Sequence, residues 1–357
     1  MKIASPLRWT RWRRDVLATS LAIGSAAAVT YGVVLRSPDR PAEELARTLD
    51  ESLEDGLVPT EVIEASGEGR HLGFDTSEYP GDDAMRAWKA ADVNYEWVGY
   101  YLPAPCHKDD GWSGKRATLT DMGWGLAVIY VGQQTWGKQP GQAVTRTRWV
   151  TKSSKRRVKV GGRYVTRTVR RKVPIRYTEK PRVLPGQTCS AHLVSGPQGR
   201  KEANDAIART AAEGFKDGTV IFLDVERMDR TPQAMRDYYR DWTERVLEDG
   251  RFIPGIYAHT HNAQRIYSDV KAVYALHGVD LEPPFWVAGG RDFSPERAPQ
   301  DVGHDFAAMW QGVLDVWRTH NGVRLPIDIN VAAVPSPSEH LAYVARNAAA
   351  STSRLAE

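Results

Sequence analysis

The chain has 357 residues, 41% of them apolar and 26% charged, a globular composition with room for one large barrel or two average domains. Wholesale disorder, a collagen-like fibre and a polytopic membrane protein are excluded, and the two cysteines exclude a disulfide-dense scaffold or a zinc ribbon. The net charge of +4 hides two basic blocks, residues 1–14 and 144–182, which leave the rest of the chain at −15.

The chain opens with Arg8, Arg11, Arg13 and Arg14 and no acid, followed by an uncharged run over 16–35. Arg13-Arg14 with Asp15, Val16 and Leu17 behind it resembles a twin-arginine export signal. Ala26-Ala27-Ala28 offers small residues for cleavage, while the whole run is also long enough to cross a bilayer once. Cleaved signal and retained anchor both put the body outside the cytoplasm, because the flanking cations stay inside. Residues 36–70 read as an acidic spacer, with Leu45, Leu49 and Leu53 on one face of a short helix.

From residue 71 onward short apolar runs alternate with helical patterns. The strand candidates are 72–76, 97–102, 126–131, 220–226, 252–258, 285–288, 306–311 and 326–331. Helix candidates cover about 200–215, the stretch from Thr231-Pro232 onward and 337–349. Strands alternating with helices imply a parallel sheet. Eight such units predict a closed (β/α)8 TIM barrel over about 71–350, with an N-terminal signal or anchor helix before it. No Gly-rich phosphate loop follows any strand, which counts against nucleotide binding.

Active sites of such barrels form where strands end. Strand one ends at Asp75, strand four at Asp224 and Glu226, and strand seven at Trp310-Gln311, while strand eight carries Asp328 and Asn330. Asp224 and Glu226 are spaced i, i+2, so both side chains face one side of the strand, with Cα atoms roughly 6.5–7 Å apart. Acids held that close do not ionise independently, and one keeps its proton. A carboxylate pair of this kind suits cleavage of a glycosidic bond. The competing reading is a helix-capping Asp beside a Glu paired with Arg227 or Arg230.

Gly73-Phe74-Asp75-Thr76-Ser77 and Leu223-Asp224-Val225-Glu226 resemble the first-strand and central motifs of glycosyl hydrolase family 25 lysozymes. Gly255-Ile256-Tyr257, Phe285-Trp286-Val287-Ala288, Trp310-Gln311 and Ile327-Asp328-Ile329-Asn330 follow in the family's order. Met85-Arg86-Ala87-Trp88, Met122-Gly123-Trp124 and Tyr130-Val131-Gly132-Gln133-Gln134 are more similar to a related group, the twin-arginine-exported glycoside-hydrolase-like barrels of bacterial envelopes. The resemblance implies that Glu226 is a proton donor and that Asp224 orients a substrate 2-acetamido group. It further implies that Asp75 and Asp328 flank the scissile bond. Pro80, where the lysozymes usually have Gln, and a long insert depart from the pattern. Tyr100, Tyr257, Trp286, Trp310 and Gln311 are the candidate substrate-binding residues. The expected substrate is a cell-wall glycan of peptidoglycan type. The alternative is a catalytically silent glycan- or polyanion-binding envelope protein.

Residues 138–190 interrupt the connection after strand three. Around Gly161-Gly162 valines alternate with cations, among them Arg156, Arg157, Lys159, Arg163, Arg167, Arg170 and Arg171. That pattern predicts a β-hairpin with one aliphatic and one cationic face. Such a ribbon suits a polyanion, held by release of its counterions: an anionic wall polymer or lipid headgroups, with nucleic acid not expected. Cys106 and Cys189 fall at one barrel face, where an oxidising compartment favours a disulfide. His259-x-His261 is the only close histidine pair, and no metal site, cofactor or oligomer is expected.

Overall fold

The computed structural model describes residues 66–67, 70–141, 143–179 and 183–339. The basic start, most of the spacer and most of the predicted helix over 337–349 lie outside those residues. In chain order, β1 (Arg70–Asp75) leads to α1 (Asp82–Lys89), β2 (Trp97–Tyr101), α2 (Arg116–Asp121) and β3 (Gly125–Tyr130). A long hairpin of β4 (Val144–Val160) and β5 (Arg163–Glu179) follows. Then come α3 (Gly196–Ala212), β6 (Val220–Val225), α4 (Gln233–Asp249), β7 (Ile253–His259) and α5 (Thr260–Leu276). The body closes with β8 (Phe285–Ala288), β9 (Ala307–His320) and β10 (Val323–Ala332).

Eight strands form a closed barrel in the order β1, β2, β3, β6, β7, β8, β9, β10 and back to β1. The central strands are apolar on both faces because helices cover the outside and side chains fill the inside. All six residues of β6 are buried, for example. Helix α4 turns Met235, Tyr238, Tyr239, Trp242 and Val246 onto the barrel and stops at Gly250, whose φ of 77° suits glycine at a helix end. Helix α3 begins four residues earlier than its apolar pattern suggests, because the Ser195 side chain accepts a hydrogen bond from Gln198 N and caps it.

The barrel departs from a regular alternation in its last third. Between β8 and β9 there is only a 3-10 turn, Pro299–Val302. β10 pairs antiparallel with both neighbours. The cause lies in Asn321-Gly322, which have φ of 47° and 77° and join β9 to β10 directly. A two-residue turn of this type links only antiparallel strands.

Inside the barrel Trp97, Phe222 and Tyr257 each pack edge-on against Trp286. Gly73 makes room for this layer, since a Cβ there would lie 2.2 Å from the Trp97 indole.

The β4–β5 hairpin pairs along its whole length, from Val144 opposite Glu179 to Val160 opposite Arg163, and turns at Gly161-Gly162. The register sorts its side chains differently from the predicted division. Aliphatic residues such as Val150, Val158, Val169, Val173 and Ile175 do share one face. Cations occupy both faces, however, because Arg156, Arg163, Arg167 and Arg171 fall on the aliphatic side and Arg157, Lys159 and Arg170 on the other. The doubled Arg156-Arg157 and Arg170-Arg171 force this split in a chain whose side chains alternate. Cys106 and Cys189 form a disulfide that ties the loop behind β5 to the loop behind β2.

Candidate active site

Asp75 ends β1 and stands directly across from Asp328 on β10. The antiparallel register of β10 with β1 is what sets Asp328 beside Asp75. The two acids therefore lie side by side rather than on opposite sides of a cleft. Gln311 on β9 joins them: its Nε2 donates to Asp75 Oδ1 at 2.8 Å and to Asp328 Oδ2 at 3.1 Å. Its Oε1 accepts from Tyr257 Oη at 2.7 Å, which fixes the amide's orientation. Asp75 also accepts from Asn330 Nδ2 at 2.9 Å and from Tyr101 Oη at 2.7 Å. Trp286 Nε1 in turn donates to Asn330 Oδ1 at 3.0 Å. Asp328 Oδ1 accepts from the backbone N of Asp315 at 2.6 Å. Asp315 has φ of 52° and lies in the irregular stretch of β9, where a bulge re-aims the chain. Gly99 on β2 leaves space for Asp75, because a Cβ there would come within 2.7 Å of the Asp75 Cβ.

Asp224 is in register with Tyr257, so both face the barrel interior. Glu226 follows two residues on. Asp75, Asp224 and Asp328 are all buried, at 4%, 5% and 7% exposure, while Glu226 is half-buried. Glu226 is thus the member of the four most open to a ligand. Gln134, 1% exposed, clamps the backbone between the central acids. Its Nε2 donates to Asp224 O at 2.7 Å and its Oε1 accepts from Glu226 N at 3.1 Å. One side chain therefore fixes the spacing of the pair.

Gln133 anchors the same turn to the disulfide loop. Its Nε2 donates to Thr188 O at 2.7 Å and to Glu202 Oε1 at 2.6 Å, and its Oε1 accepts from Ser190 N at 2.9 Å. Burial pushes the Glu202 carboxyl above the usual carboxylate range, opposed by hydrogen bonds from Gln198, Tyr238 and Gln133.

Of the candidate substrate-binding residues, Tyr257, Trp286 and Gln311 face the interior. Tyr100 and Trp310 do not. Tyr100 Oη points outward to Glu213 behind α3 and its ring packs on Trp112 and Phe215. Trp310 donates to Gly289 O at 2.6 Å and lies edge-on to Phe293. In both strands the neighbour, Tyr101 or Gln311, holds the inward position, as two-residue alternation requires. Tyr101, Gln134 and Asp315 are site residues to which the sequence assigns no role, and Asn330 is one that it sets beside Asp328 without a role. Period-two alternation from Asp328 finds Asn330, and Tyr101 lies on the neighbouring strand β2, where only the register brings it to Asp75. Gln134 closes the Tyr130–Gln134 motif, which does not reveal its contact, and Asp315 acts through bulge geometry.

His259 stands at the mouth as the cap of α5, its Nδ1 accepting from His261 N at 3.0 Å. Burial, with Arg227 and His261 nearby, pulls its pKa down to about 4. A surface groove bordered by Lys89, Glu96, Trp124 and Ser336 lies at the opposite end, where β2 and β3 begin, remote from the acids.

Four acids and a set of oriented amides at the mouth of a closed eight-stranded α/β barrel define the class as a glycoside-hydrolase-like barrel. The chain belongs to the Rv2525c-like, glycoside hydrolase-like domain family, whose model matches residues 86–332. Similar solved structures include the Mycobacterium tuberculosis Tat-secreted protein Rv2525c, at 15% identity over 74% of this chain and 95% of that chain with a TM-score of 0.38. The Clostridium perfringens spore cortex lytic enzyme SleM is 13% identical over 75% of this chain and 68% of that chain, with a TM-score of 0.43. GHIP, a glycosyl hydrolase 25 of Streptococcus pneumoniae, is 12% identical over 84% of this chain and 99% of that chain, with a TM-score of 0.41. No curated protein sequence matches the chain.

Proposed function

We propose that the chain is an exported protein that cleaves a cell-wall glycan of peptidoglycan type by acid catalysis. The carrying observation is the half-buried Glu226, two residues beyond the buried Asp224 at the end of β6, with the Gln134 side chain bridging the backbone of the two. Glu226 protonates the glycosidic oxygen as the bond to the anomeric carbon breaks. Asp224 accepts from the N–H of the substrate's 2-acetamido group, whose oxygen attacks the anomeric carbon. Water then opens the cyclic intermediate and gives its proton to Glu226. Asp75, already accepting from three donors, contributes fixed negative charge near the developing cation, as does Asp328. Arg13-Arg14 and the apolar run behind them support export, and the Cys106–Cys189 disulfide suits an oxidising compartment.

The second reading is a silent glycan-binding barrel. The outward turn of Tyr100 and Trp310 favours it, because it removes two platforms for stacking sugar rings. Purified peptidoglycan, intact or chemically de-N-acetylated, separates the two. The hydrolase reading expects reducing ends from the intact glycan and none from the de-N-acetylated one. Binding to intact glycan without any release of reducing ends supports the silent barrel.

A further inference from the structure

We propose that one face of the β4–β5 ribbon is a track for an extended phosphodiester polymer, separate from the barrel mouth. Five consecutive cross-strand pairs on that face each set one cation opposite one hydroxyl. They are Thr151 with Lys172, Ser153 with Arg170, Lys155 with Thr168, Arg157 with Thr166 and Lys159 with Tyr164. All ten residues are exposed. Successive pairs on one face advance by two residues, about 6.7 Å, which matches the step between neighbouring phosphates in a drawn-out glycerol-phosphate or nucleotide chain. A cation and a hydroxyl together supply the charge and the neutral donor that a phosphodiester oxygen pair accepts. Trp149 and Tyr164, 66% and 62% exposed, stand on the same face towards its two ends.

The opposite face is built differently. There Lys152 lies across from Arg171 and Arg156 across from Arg167, and aliphatic pairs such as Val150–Val173 and Val158–Val165 break the row. The ribbon's one acid, Glu179, is paired with Arg146 at 2.9 Å near the base. Among the described residues none of the ten track residues takes part in a salt bridge. A two-stranded ribbon twists strongly, so a row of cations along it winds about the axis. A flexible chain follows such a row; a flat lipid surface meets only part of it. The geometry thus favours a linear polymer over a membrane.

The test is a salt-dependent binding titration on the full chain, with no reliance on glycan cleavage. Probes are poly(glycerol phosphate), oligo(dT) and vesicles of phosphatidylglycerol in phosphatidylcholine. The track variant is K155Q/R157Q/K159Q/R170Q/K172Q; the control, with the same loss of charge, is R148Q/K152Q/R156Q/R167Q/R171Q. Circular dichroism verifies that both keep the barrel. For the wild type the slope of log K against log salt should be about −3.5, five phosphates at about 0.7 each. The track variant should lose at least about 30-fold in affinity and the control less than about 5-fold. Tighter binding of poly(glycerol phosphate) than of oligo(dT) upholds the track as one for a wall-type polymer, and the reverse preference overturns that assignment. Equal losses in the two variants, or binding to vesicles with none to either polymer, overturns the track.

Discussion

Asp75 and Asp328 face each other across the β1–β10 pair and accept hydrogen bonds from one and the same side-chain amide, that of Gln311. Two buried acids in contact are tolerable only while donors stand between them. Gln311→Leu keeps much of the volume and removes the donor. It should destabilise the fold by about 2–4 kcal/mol in urea unfolding at neutral pH, since two buried acceptors lose a partner.

The one-residue register at β2 makes a paired prediction. Tyr101→Phe removes a donor from Asp75 and should lower glycan turnover about 10-fold. Tyr100→Phe removes a hydrogen bond to Glu213 on the outer layer and should leave turnover unchanged, with a stability loss of about 1 kcal/mol. Steady-state kinetics on the two variants settles which tyrosine serves the site.

Much of this was legible in the sequence. Runs such as Val220–Val225 announce buried strands by composition alone, and Asp224 and Glu226 announce a shared side by their spacing. The direction of β10 is legible too, in Asn321-Gly322, the strongest short hairpin signal, although the alternation of strands and helices alone predicts one more parallel strand. Tyr100 and Trp310 mislead because aromatics are common on both faces of a strand buried on both faces, so identity does not reveal orientation. Gln134 closes the Tyr130–Gln134 motif, but nothing local assigns it a contact. Its role arises from a contact between the loop after β3 and the end of β6, which only the closed barrel brings together.

His259 predicts a pH dependence of stability. Its folded pKa of about 4 lies below the ordinary 6.5, so between those values the unfolded chain takes up a proton that the folded chain refuses. Its contribution is intact above 6.5 and is lost as pH falls towards 4. His259→Asn keeps an acceptor to cap α5 and removes the titration. Its melting temperature should fall less than that of the wild type between about pH 7 and about pH 4.5.

Gln134 touches only backbone, so it is a positioning residue. Gln134→Leu should leave KM nearly unchanged and lower kcat by about 10- to 100-fold, because a small displacement of a catalytic group is costly. A loss confined to KM would assign Gln134 to substrate binding instead.

The most direct measurement is product analysis of purified peptidoglycan after incubation with wild-type protein and with Glu226→Gln. The substitution keeps volume and hydrogen bonding and removes the transferable proton. Wild-type protein should release glycan fragments with new reducing ends, and the variant should do so at least about 10²-fold more slowly while still binding the glycan. Equal release by both proteins, or none by the wild type across about pH 4–8, would contradict the account.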